Sequence, residues 1–107
     1  MKESDIHRAV VAHWRALGLP NTLVATIPNM GAMGQHGLTK GLPDLMVIAP
    51  GLPVGFIELK TDKGRLSPAQ TDFKRMCINT GTPMAVTYGR DEPIRVLEAW
   101  KVVRAGT

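Results

Sequence analysis

Two apolar runs, at 45–49 and 54–59, are separated only by Pro50-Gly51-Leu52-Pro53. This pair constrains the fold more than any other stretch, because it reads as two β-strands joined by a turn. Both runs are apolar on both faces, with Met46 and Ile48 on one and Leu45 and Val47 on the other. A hairpin with one face in water would alternate apolar and polar residues. These strands are therefore expected at the centre of a sheet covered on both sides. Charge stands only at their outer ends. Pro43-Asp44 opens the first run, and Glu58-Leu59-Lys60 closes the second.

Strand alternation puts Glu58 and Lys60 on one face, roughly 6.6 Å apart, and Leu59 on the other. If Asp44 pairs directly across from Glu58, the turn has three residues, Pro50 to Leu52, and both carboxylates share that face. A slip of one residue would separate them. The register that joins them is the one expected. Two carboxylates close together raise each other's pKa unless a cation lies between them. Mg²⁺ or Mn²⁺ suits such oxygen ligands, and the Leu59 carbonyl can add a third. A divalent ion there would polarise a phosphate oxygen and activate water, with Lys60 orienting that water or stabilising charge on the phosphate. Asp before a strand and Glu-x-Lys in a strand also have ordinary roles, as turn residue and surface ion pair. The juxtaposition at one end of two central strands favours chemistry, since charge in a central strand is unusual unless paired or functional.

Around this pair the predicted order is αβββαβα, a mixed sheet with helices packed on it. Ile6, Val10, Trp14 and Leu17 lie on one face of a first helix from about Glu3 to Leu17, and Gly18 stops it. A short strand follows at 23–27, then an irregular glycine-bearing stretch at 28–41. Ser67-Pro68-Ala69-Gln70 carries the N-cap, first-turn proline and third-position glutamine of a capping box. The second helix has Phe73, Met76 and Cys77 as its apolar stripe, and Gly81 ends it. A strand at 83–88 and a short helix, capped by Asp91 and running to about Trp100, complete the chain. With 107 residues, one domain spanning 1–107 is expected.

Composition narrows the function classes. The only cysteine, Cys77, excludes an intrachain disulfide and a zinc ribbon, and it reads as a buried thiol. A net charge of +4 and a pI near 9.6 favour a polyanionic partner, though only mildly. No segment has the ~20 apolar residues of a membrane helix, and the N-terminus lacks a signal-peptide pattern. A soluble, cytoplasmic protein is the expectation. Gly31, Gly34 and Gly37 do not form a phosphate loop of the nucleotide-hydrolase kind, because no Gly-Lys-Ser/Thr follows.

The chain resembles the VRR-NUC nucleases, a branch of the PD-(D/E)xK superfamily with a restriction-endonuclease-like fold. The resemblance rests on Glu3 at the first helix, Pro28-Asn29 before the glycine-bearing loop, and Lys40-Gly41-Leu42-Pro43-Asp44. It continues through Phe56-Ile57-Glu58-Leu59-Lys60, the segment Gly64-Arg65-Leu66-Ser67-Pro68-Ala69-Gln70, and Gly81-Thr82-Pro83. It implies a metal-dependent, structure-selective DNA endonuclease acting on branched DNA such as four-way (Holliday) junctions. Asp44 and Glu58 would be metal ligands, Lys60 the catalytic lysine, Gln70 an active-site residue of the second helix, and Glu3 the acid of the first helix. Asp5 competes with Glu3 for that last role. His7 stands where the family often has glutamine. Gln70 is also claimed by the capping box, and the active site is the favoured use. An RNA-cleaving nuclease and a non-catalytic nucleic-acid-binding module are the alternatives.

The loop from Asn29 to Lys40 is the expected nucleic-acid contact. Glycines such as Gly31 let backbone amides approach phosphates, Lys40 adds charge beside Asp44, and Gln35 and His36 can reach sugar or base. A homodimer is expected, since a four-way junction has two-fold symmetry. Leu97, Trp100 and Val103 offer either an interface stripe or a core stripe.

Overall fold

The computed structural model describes residues 1–28 and 39–106. Among the described residues, three helices and four strands follow in the predicted order: α1 (Glu3–Leu17), β1 (Leu23–Thr26), β2 (Leu45–Ala49), β3 (Leu52–Lys60), α2 (Pro68–Thr80), β4 (Met84–Tyr88) and α3 (Asp91–Ala99). The strands form one sheet in the order β1-β2-β3-β4. The first three pair antiparallel, while β4 runs parallel to β3, and α2 is the crossover between them. Among the described residues no helix is long and apolar enough to cross a membrane.

The β2–β3 pair occupies the centre of the sheet. Leu45 pairs with Ile57 and Met46 with Phe56, so the next step along the register sets Asp44 opposite Glu58. The turn differs from expectation. A bulge between Val47 and Ala49 shifts the register, so Ala49 pairs with Leu52 and the turn shrinks from three residues to Pro50-Gly51. Gly51 takes the left-handed conformation at φ 76° that a two-residue turn of this kind needs. β3 consequently begins at Leu52, not Val54. The extra residue in the bulge is what lets the tight turn and the Asp44–Glu58 register coexist.

The two sheet faces are covered unequally. Leu45, Val47, Ala49, Ile57 and Leu59 point to one face, where Val24, Ile6 and Val10 of α1, Leu97 of α3, and Val102 and Val103 complete the buried core. The other face receives α2, with Phe73 edge-on to Phe56 at 5.4 Å between ring centroids. Further along that face Ile48 is 40% exposed and Val54 is also exposed. The expectation of cover on both sides therefore fails at the turn end, beyond the reach of a 13-residue helix. Within α2 itself Cys77 is buried, but Met76 is 63% exposed and does not belong to the apolar stripe.

Helix ends follow local chemistry with one exception. Ser67 caps α2 and Gly81 ends it at φ 73°. At α3 the N-cap is Arg90, and Asp91 is the first helical residue instead of the cap; its charge still favours the helix N-terminus. Leu97 and Val103 are buried within the chain's own core, and Trp100 packs against that core. The C-terminal segment then straps α1, with Leu19 N–H donating to the Val102 carbonyl at 2.9 Å and Arg104 N–H to Leu17 at 3.0 Å. The stripe suggested as a dimer interface is thus consumed within the subunit.

Candidate metal centre

Asp44 lies in a bend just before β2, and Glu58 lies near the end of β3. Their backbones explain how the side chains meet. The Asp44 carbonyl points toward β1, where Ile27 N–H donates to it at 2.9 Å. The Glu58 carbonyl points toward β4, where the buried Thr87 hydroxyl donates to it at 3.0 Å. Residues opposed in this outward-facing way form the closer type of antiparallel pair, roughly 4.5 Å between Cα atoms. Leu59, one residue on, turns its N–H toward Asp44 and donates to Oδ2 at 2.7 Å. Its carbonyl lies on that same strand edge.

Glu3, in the first turn of α1, brings a third carboxylate. One oxygen each from Glu3, Asp44 and Glu58 lie within 4.8 Å of one another. Asp5 is used elsewhere: it accepts from Lys2 N–H at 3.3 Å and faces Arg8 at 3.8 Å. Of the two first-helix acids, Glu3 is therefore the one in the cluster.

Glu58 is 1% exposed and Lys60 8%, and their charged atoms stand 3.7 Å apart on the shared strand face. Gln70 ties them together. Its Nε2 donates to Glu58 Oε2 at 3.2 Å, and its Oε1 accepts from Lys60 Nζ at 3.0 Å. The same Oε1 accepts from Ser67 N–H at 2.8 Å, while Gln70 N–H donates to Ser67 Oγ at 3.1 Å. The supposed choice between capping and site thus disappears. A carboxamide oxygen has two acceptor directions and its nitrogen donates separately, so one side chain serves both. The capping box of α2 is what aims Gln70 at the carboxylates.

The electrostatics are those of like charges crowded out of water. Burial is the main force that pushes the Glu58 carboxyl up to about 8, with the Asp44 charge and a hydrogen bond donated by protonated Glu58 to the Asp44 carboxylate adding to it, Lys60 opposing, and Glu3 adding a little. Burial and then Asp44 also raise Glu3, against Lys60 and His7. Lys60 therefore does not neutralise the cluster. Three carboxylate oxygens at this spacing, with the Leu59 carbonyl on the same edge, match the oxygen donors a hard divalent cation takes.

Gly41, at φ 84°, closes the loop before Asp44 against α2; a Cβ there would collide with the Ala69 backbone. Lys40 beside it is exposed and lines a small hollow with Thr39, Ala69, Asp72, Phe73 and Met76. Asn29, Gly31, Gln35 and His36 lie outside the described residues. Nothing in the sequence marked Thr87, the buried hydroxyl of β4, or the bond between His7 Nε2 and Thr26 Oγ1 at 2.9 Å. No local pattern marks either one, since each depends on which distant element lies alongside.

The family model of the VRR-NUC domain matches residues 1–91. A solved structure described as "VRR_NUC domain protein" is similar with a TM-score of 0.79, at 22% identity over 94% of this chain and 88% of that one. Another, described as "VRR_NUC domain", has a TM-score of 0.67, at 22% identity over 92% of this chain and 96% of that one. At that identity the likeness concerns the fold. No curated protein matches the sequence.

Proposed function

Because the chain belongs to the VRR-NUC domain family, whose members are generally nuclease domains, we propose that it is a Mg²⁺- or Mn²⁺-dependent endonuclease of branched DNA. The observation that carries this reading is the gathering of Glu3, Asp44 and Glu58 within 4.8 Å beside a nearly buried lysine. A purely structural ion pair would need one carboxylate for Lys60, not three.

Asp44, Glu58 and the Leu59 carbonyl hold the cation in this proposal, with Glu3 as a further carboxylate ligand. A bound divalent ion supplies Lewis-acid polarisation of a phosphate oxygen and eases deprotonation of water. The chain's own part is to position. Leu59 N–H holds Asp44 in one rotamer. Thr87 pins the Glu58 backbone, and Gln70 sets Glu58 and Lys60 at a fixed separation. Lys60, always near its carboxylate partner, presents Nζ where it orients the attacking water or stabilises charge on the phosphate. Lys40 and the loop before it contact the nucleic-acid backbone, and a homodimer presents two such centres to the two strands of a four-way junction.

The test is cleavage of four-way junctions, plain duplex and RNA, with Mg²⁺, with Mn²⁺ and with chelator, alongside light scattering of protein and complex. Junction cleavage that requires metal, by a species of dimer mass, is the expected result. Equal rates on plain duplex would remove the branched substrate, and RNA cleavage alone would reassign the substrate. Binding without cleavage by either metal would leave a non-catalytic module. A monomer mass with and without DNA would remove the dimer.

Lys40→Ala is expected to weaken junction binding by about one phosphate contact and reduce the salt-dependence slope by roughly 0.9. Lys101→Ala, exposed in the turn after α3, should do less when both are titrated against labelled DNA at several salt concentrations. Equal losses would deny Lys40 a special place.

A further inference from the structure

We propose that the groove between α1 and β1 binds the sugar–phosphate backbone beside the cleaved bond, with Arg8, His7 and Ser4 positioning the adjoining nucleotide. The inference rests on the nuclease reading above and adds to it a specific path for the strand. The groove is an open surface hollow of about 330 Å³ lined by Ser4, His7, Arg8, Val11 and Thr26.

Both walls of the groove adjoin the carboxylate cluster. On the helix wall, Ser4 follows Glu3 directly, and His7 stands one turn from it on the same helix. On the strand wall, Thr26 precedes Ile27, whose N–H is bonded to the Asp44 carbonyl. A strand whose phosphodiester lies at the carboxylates therefore continues into this groove when it leaves on the α1 side.

Charge makes the same assignment. Three clustered carboxylates repel a polyanion, and a cation between them compensates only the phosphate it touches. Lys60 cannot serve the neighbouring phosphate, since it is nearly buried and engaged by Gln70 and Glu58. Arg8 can: its side chain is 78% exposed, and its solvent-exposed ion pair with Asp5, at 3.8 Å, is longer than a hydrogen bond and weak enough to give way to a phosphate. His7 is held in place through Nε2 by Thr26, which leaves Nδ1 without a partner among the described residues. The Ser4 hydroxyl adds a donor, and the Val11 methyls offer an apolar patch for the sugar. Polar groups that fix a backbone, with little that reads a base edge, are what positioning contacts need.

The experiment measures binding of a fluorescently labelled four-way junction over a range of salt, at constant pH, in the Glu58→Gln background so that cleavage does not intrude. Arg8→Gln and His7→Ala are each expected to weaken binding roughly 5-fold, and Arg8→Gln to lower the salt slope by about 0.9. Arg15→Gln, two turns further along α1, should change neither. With Glu58 intact, Arg8→Gln should keep the full rise in melting temperature on adding Mg²⁺, which separates the groove from the metal centre. Binding and slope equal to the parent for both groove variants would overturn the proposal. So would an equal loss for Arg15→Gln, or a lost Mg²⁺ response in Arg8→Gln. If the parent protein cleaves no nucleic acid while the groove variants lose binding as stated, the nuclease reading fails and the groove stands. If the parent cleaves and the groove variants bind normally, only the groove fails.

Discussion

Glu58→Gln is expected to reduce cleavage by on the order of 10³-fold or more and, at the same time, to raise the melting temperature of the metal-free protein at pH 8. In the proposed reading Glu58 is a charged metal ligand, and its loss would remove stabilisation at the reacting centre. The stability gain has a separate cause. In the folded protein burial and Asp44 push the Glu58 carboxyl up to about 8. In the unfolded chain it titrates in the ordinary carboxylate range, near 4.5. Between those values the folded state keeps a proton that the unfolded state has released. Metal-free stability must therefore fall as pH rises through that window, and below it the term is constant. Glutamine cannot ionise, so the variant escapes the decline. The gap between the two proteins should be small at pH 4.5, widen to a few kcal/mol by pH 8, and close again in the parent when Mg²⁺ is added. Asp44→Asn should lose activity similarly and lower the Glu58 carboxyl toward its ordinary range. Thermal unfolding at several pH values, with chelator and with Mg²⁺, reads all of this. A Glu58→Gln protein that melts lower at pH 8 without metal would identify the Glu58–Lys60 pair as a structural ion pair instead.

Gly41→Val is expected to be the most damaging substitution at a position with no chemistry of its own. Gly41 sits at φ 84°, and a Cβ there runs into the Ala69 backbone in the first turn of α2. A backbone obstacle does not rotate away, so the loop and helix must separate. That separation withdraws Gln70 from Glu58 and Lys60 and displaces Asp44. The cost should be about 3 kcal/mol or more in denaturant unfolding, with cleavage falling further than the stability loss explains. Gly51→Ala is the matched control. Gly51 is also left-handed, at φ 76°, but a Cβ there meets nothing within 4 Å. It should cost only about 1–2 kcal/mol and leave cleavage unchanged. Equal behaviour of the two variants would show that the Gly41–Ala69 contact does not hold the centre together.

Both expected results arise from contacts between elements far apart in the chain, which no local stretch of residues encodes. Helix ends and strand identities were legible because their causes are local. Ser67 and Gln70 satisfy the first amides of α2, Gly81 takes the left-handed position that ends it, and apolar spacing marks the buried face of α1 at Ile6 and Val10, with Trp14 partly buried, although Leu17 at the end of the same stripe is exposed. The Asp44–Glu58 register was legible too, since pairing is fixed by side-chain parity once two strands adjoin. The tertiary structure decided everything that depends on where a distant element stops. α2 covers one end of its sheet face and leaves Ile48 and Met76 exposed, although both look like core residues in the sequence. The turn closed with two residues because a bulge took up the third. Leu97 and Val103 went to the core because the chain after α3 folds back across α1. Glu3 joined the carboxylates, and Asp5, about 200° further round the helix, turned to Lys2 and Arg8 instead. Local hydrogen bonding and side-chain period act over a few residues and are written in order along the chain. Coverage and convergence act between segments tens of residues apart, and no short-range pattern records which of several apolar or charged residues will be met.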